Sequence, residues 1–114
     1  MVTAETAMAL PALMVIVAGM LFVIGAVGTQ LRCVDDSRET AREIARGDDQ
    51  GVVTRELLAT HPAVTGLTVT RAGGSVTATV TARAPLFGPL AGRLRALVVS
   101  ASSTALDETT LDAR

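Results

Sequence analysis

The feature that most constrains this chain is a run without charge. Between Glu5 and Arg32 there is no Asp, Glu, Lys or Arg, and the 26 residues from Thr6 to Leu31 read TAMALPALMVIVAGMLFVIGAVGTQL. A helix of about 20 apolar residues crosses the hydrocarbon core of a bilayer, and this run exceeds that length. Buried helices of water-soluble domains are usually shorter and keep a polar face, whereas Leu13 to Val27 has none. The expectation is a membrane-spanning helix over 1–31. A cleaved secretory signal is the competing reading, because Ala26 and Gly28 place small residues at suitable spacing. Such signals open with basic residues and have an apolar stretch of about 7–15 residues; here the start holds only Glu5, and the run is longer. The absence of a basic residue before the run also means that basic asymmetry within the chain does not set its orientation.

Helical character continues past the apolar run. Arg32 to Arg46 reads RCVDDSRETAREIAR, with no Gly or Pro. Val34, Ala41, Ile44 and Ala45 recur at helical spacing, with Cys33 and Ser37 alongside, and form one narrow apolar face. Arg38, Arg42 and Arg46 lie on one i, i+4 row, and Asp35, Glu39 and Glu43 on the adjacent row. At i+3 spacing, Asp35–Arg38, Glu39–Arg42 and Glu43–Arg46 can bridge the rows. The rows then read either as a solvated, salt-bridged face or as subunit contacts, one subunit's Arg row meeting a neighbour's acidic row. Gly47 supplies the stop. A helix from about Thr3 to Arg46 would run roughly 65 Å at about 1.5 Å per residue. Pro11, inside it, is expected to kink or loosen the first turns.

The remaining residues, 47–114, read as a small α+β head. Asp49 is a candidate N-cap for a short helix over Gln50 to Thr60, closed by Pro62. From Gly66 the period changes to two, with Leu67 and Val69 alternating with Thr68 and Thr70. After Gly73-Gly74, Val76, Ala78, Val80 and Ala82 alternate with Thr77, Thr79, Thr81 and Arg83. Two such runs around Gly-Gly predict an antiparallel hairpin, Thr face to water and Val/Ala face to the core. The segment 85–92, PLFGPLAG, is expected as a loop. Leu97 to Leu106 is a third, less cleanly alternating strand, and the residues after Asp107 an unpatterned tail. The fold class is therefore α+β: a long N-terminal transmembrane and stem helix, a short second helix and an antiparallel sheet of about three strands. A hairpin alone is marginal in water, so the third strand and the stem face are expected to complete it.

Composition narrows the chemistry. The chain has 114 residues, enough for one domain, and its net charge of −1 argues against a nucleic-acid partner. One Cys and one His leave no internal disulfide and no Cys-based or multi-histidine metal centre. Ser75, Ser100, Ser102 and Ser103 have no patterned His partner, and His61 reads as a loop residue. No enzyme activity, cofactor or small-molecule substrate is expected. Cys33 reads as a buried small residue, with an intermolecular disulfide or lipidation as the minority reading. Glu5 is the informative acid. An ionised carboxylate is costly in lipid. It reads either as an interfacial residue favoured by the helix dipole or as a buried counter-charge for an amine on another chain.

The opening Met1-Val2-Thr3-Ala4-Glu5-Thr6-Ala7-Met8, the stem Arg32-Cys33-Val34-Asp35, the Thr/Val hairpin, the Pro-Leu-Phe-Gly-Pro-Leu segment and the final Val-Ser-Ala-Ser strand resemble actinobacterial TadE-like proteins. These are minor pilins, or pseudopilins, of the tight-adherence (Tad/Flp) type IV pilus system. The resemblance implies a cell-membrane, single-pass protein with its head outside, which joins or primes a surface pilus. Its partners would be other pilins and the Tad assembly machinery, and a prepilin peptidase would act on a leader upstream. It also implies assembly roles for Met1 and Glu5: the acid five residues into the mature chain pairs with a neighbour's N-terminal amine. Glu5 holds that position if Met1 is the first mature residue; no leader stands before Met1 in this sequence, a departure from the family pattern. The alternative is a single-pass accessory protein that binds one membrane partner through its stem.

Overall fold

A computed structural model describes residues 2–84 and 97–111. Met1, the segment 85–92 expected as a loop and the last residues of the tail lie outside the described residues. The elements are α1 (Val2–Ala45), α2 (Gln50–Thr60), β1 (Val64–Ala72), β2 (Ser75–Ala84), β3 (Leu97–Leu106) and α3 (Glu108–Leu111). The α+β class expected from the sequence is what the chain adopts. At about 1.5 Å per residue, the 44 residues of α1 span roughly 66 Å, most of the 81 Å long axis of the molecule. The helix is continuous across Pro11. As the tenth residue of α1, Pro11 gives up the hydrogen bond its N–H would have made, yet the helix runs on through it.

Helix α1 ends in a tight reversal. Gly47 takes φ +100° and its N–H donates to the Ile44 carbonyl, a left-handed position that a side chain would strain. The Asp49 carboxylate then accepts from the amides of Gly51 and Val52, so the expected N-cap of α2 forms. The cap residue at the other end, His61, donates its backbone N–H to the Leu57 carbonyl. Helix α2 runs back along the stem.

The three strands form an antiparallel sheet in the order β1-β2-β3. The β1–β2 turn uses Gly73 and Gly74 at φ +57° and +76°, as a two-residue hairpin turn demands. β1 begins at Val64, two residues before the expected start, with an irregularity in register between Val64 and Gly66. β3 alternates more regularly than its sequence suggests: Val99, Ala101, Ser103 and Ala105 are half-buried and the residues between them exposed. Ser103 hides the pattern, because a hydroxyl stands on the inner face opposite Ala78.

The core lies between α1 and the sheet. Val76, Ala78, Val80, Ala82 and Ala84 of β2 are buried, facing Cys33, Ala41, Ile44 and Ala45 of α1. One cluster gathers Cys33, Leu57, Val64, Val80 and Ala82; a second gathers Ile44, Ala45, Val53 and Val76. Val34, expected on this face, is half-buried, and Thr40 takes a buried place instead. The layer is made largely of Ala, Ser and Cys, so helix and sheet approach closely.

The described residues after β3 form one helical turn, Glu108–Leu111. Asp107 is buried, and its N–H donates to the Gly74 carbonyl. Its carboxylate accepts from the Thr109 amide and hydroxyl and faces Arg71 at 3.9 Å. The Thr109 hydroxyl, then the Thr109 amide and the Arg71 charge, hold this carboxyl below the usual range against the opposing effect of burial. A carboxylate with a lowered folded value stabilises the fold above its unfolded pKa. That contribution fades as pH falls through the folded value. Protection of the Asp107 amide, its exchange relative to an unstructured peptide at the same pH, is therefore expected to fall at acidic pH and to lose this pH step in Asp107→Asn; an unchanged step would refute the clasp.

Candidate functional site

The described chain offers two surfaces on α1. The first is its N-terminal part. Every described residue from Val2 to Leu21 is exposed, and the apolar window within this helix has a mean hydropathy of 2.6 with none of it buried. By length and composition this is a helix able to cross a membrane once. Large apolar side chains such as Met8, Leu13, Ile16 and Met20 are exposed. Glu5 lies in the first turn, where the helix dipole favours an anion, and among the described residues no cation stands within ion-pair distance of it.

The second surface is the stem. Helical spacing places Arg38, Arg42 and Arg46 on one exposed row, with exposed Asp35 and Glu39 and half-buried Glu43 beside it. None of the expected i+3 bridges forms: among the described residues the ion pairs are His61–Asp36 and Arg71–Asp107. Exposed pairs gain little Coulomb energy in water and cost side-chain entropy, so these charges stay extended. Glu39 and Glu43 instead border a groove of about 180 Å³ between α1 and α2, which Asp36, Glu56 and His61 also line. Burial first, then the charges of Glu39, Glu56 and Asp48, raise the Glu43 carboxyl above its ordinary value, and Arg46 offsets only part of this.

His61 is more than a loop residue. Its Nδ1 lies 2.9 Å from Oδ2 of Asp36, which joins the end of α2 to the stem. The partners are 25 positions apart, and only the antiparallel return of α2 brings them together, so no local pattern announces the pair. Cys33 is buried as expected; burial, then the nearby Asp36 charge, push its thiol above the usual range, which disfavours the reactive thiolate. Among the described residues no three His, Cys, Asp or Glu side chains are arranged to hold a metal ion.

These features define an α+β chain whose first helix is both a bare apolar rod and the backbone of a small three-stranded head. Apoptosis inhibitor Rv3655c of Mycobacterium tuberculosis is 37% identical to the chain over 98 residues, a match covering 84% of this chain and 76% of that protein. The chain belongs to the same family as that protein. No family model matches it, and no solved structure does.

Proposed function

We propose that this protein is a structural minor pilin, or pseudopilin, of a tight-adherence type IV pilus. One observation carries the reading: a single 44-residue helix is bare and apolar in its N-terminal half and serves as the core of the head in the other. A bare rod needs lipid or other rods around it, and one molecule can exchange the first for the second without refolding its head. In this reading α1 holds the chain in the cell membrane with the head outside, and later bundles with the helices of other pilins delivered by the Tad machinery. Glu5 pairs with the N-terminal amine of a neighbour exposed by a prepilin peptidase. Burial in such a bundle raises the worth of that pair from about 1 kcal/mol in water to about 4 kcal/mol at an effective dielectric of 20. Arg38, Arg42 and Arg46, with Asp35, Glu39 and Glu43, are subunit contacts. The name of the Mycobacterium relative describes inhibition of apoptosis, a cellular outcome compatible with a protein displayed at a surface.

The charged stem supports a second reading, a single-pass accessory protein that docks one membrane partner there. Shearing cells and probing the filament fraction separates the two. Presence of the chain beside the other pilins is the expected result; confinement to a stoichiometric membrane complex would favour the accessory role.

A further inference from the structure

We infer that α1 docks a second, parallel copy of this chain through two different rows. Leu31 with Arg38 and Arg42 above it, on one copy, packs against Gly28 with Asp35 and Glu39 above it, on the neighbour. The inference rests on the pilin reading of α1 as a rod that bundles, and deepens it by naming a partner and the faces that meet. It begins from length. The uncharged run over residues 6–31 is 26 residues long, roughly 39 Å at about 1.5 Å each, against about 30 Å of hydrocarbon. Submerging all of it would need a tilt of roughly 40°, where about 20° is usual. Its upper end is also only partly covered by the chain itself. Phe22, Gly25, Ala26 and Thr29 are half-buried, whereas Val23, Ile24, Val27 and Leu31 each stay more than half exposed.

Helical spacing carries this surface into charge. Ile24, Leu31 and Arg38 are seven apart, so one apolar row runs up into the arginines; Gly28 and Asp35 are also seven apart, so the adjacent row runs up into acids. The rows correspond residue by residue. Leu31, Arg38 and Arg42 each have their counterpart three positions earlier, at Gly28, Asp35 and Glu39, so one axial offset of about 4.5 Å between parallel helices aligns all three. Gly28 has open space where a side chain would stand, which lets a neighbouring helix come close. Arg38, Arg42, Asp35 and Glu39 are exposed, and among the described residues none of them has an ion-pair partner. Packed apolar side chains beneath the charges would keep water from them, and the pairs are then worth more than an exposed bridge within one stem. Two copies meeting through the same row would instead set Arg38 against Arg38 or Asp35 against Asp35. The contact is therefore heterologous, and each copy of a pair keeps one row free for another.

The test uses the full chain in the membranes of a host without other pilins, as two differently tagged copies. Both carry Cys33→Ala, so that each has a single introduced cysteine. The Leu31→Cys copy is expected to form a disulfide with the Gly28→Cys copy, under mild oxidation, at least tenfold more than either forms with itself. Arg38→Glu with Arg42→Glu on the first copy should lower that yield at least tenfold. Asp35→Arg with Glu39→Arg on the second should restore it, which also shows that the reversed stems still fold. Three results overturn the inference: self-linking of either variant at the level of the mixed pair, a yield indifferent to charge reversal, or no cross-link, which would leave the row to a partner other than this chain. The filament fraction judges the pilin reading separately. Copies that cross-link in membranes but never enter filaments keep this contact and remove that reading; a chain present in filaments without the mixed cross-link removes this contact alone.

Discussion

Val80→Asp is expected to unfold the head while leaving the rod helical. Val80 is fully buried on the central strand, in the cluster that joins Cys33, Leu57, Val64 and Ala82. A carboxylate there has apolar neighbours on the sheet, the stem and α2, so it must either ionise in a dry site or draw water into the core. Such substitutions cost upwards of about 4 kcal/mol. A stem and head of about 80 residues has only about 4–12 kcal/mol to lose. The neighbouring strand supplies the control. Ser102 points to water from β3, and Ser102→Asp should cost under about 1 kcal/mol. Limited proteolysis of the membrane-inserted chain reads the difference, with Val80→Asp digested back to the stem and Ser102→Asp resistant. Equal resistance of the two would contradict the placement of the core.

The second large effect concerns Glu5 under the pilin proposal. Glu5→Gln keeps the shape of the side chain and eases insertion into lipid, so the variant should accumulate normally in membranes. Its entry into sheared filaments should fall at least tenfold, equivalent to about 1.4 kcal/mol, because a neighbour's amine would then be buried without a counter-charge. Glu5→Asp, which retains the charge on a shorter arm, should recover part of the loss. If Glu5→Gln appears in filaments as the native chain does, Glu5 has no part in assembly and is simply an acid placed favourably on the helix dipole.

Much of this architecture is legible because it is periodic. The uncharged run and the Gly47 stop delimit α1, Asp49 marks the start of α2, and the Val/Thr alternation around Gly73-Gly74 declares β1 and β2. The misses share a physical cause. The inward row of β3 contains Ser103, whose polarity conceals a position that geometry makes interior. Thr65 and Gly66 blur the start of β1 through an irregular register. The turn Glu108–Leu111 depends on Asp107 reaching the hairpin turn at Gly74, a contact no local rule contains. The charged rows are harder still. Spacing puts Arg38, Arg42 and Arg46 on a row beside Asp35, Glu39 and Glu43, but it cannot tell that the i+3 bridges are not made, or that Asp36, outside the acidic row, is the carboxylate that meets His61.

The scarcity of large side chains between stem and sheet has a consequence for crowding. With Ala41, Ala45, Ala78 and Ala82 where bulkier residues would ordinarily stand, the molecule measures only 20 × 18 Å across its 81 Å length. The sheet packs on one face of α1, so the globular end overhangs its own shaft mainly on that side. Copies of such a slender body can stand shoulder to shoulder with their shafts close together, whereas a thicker cap would hold them apart.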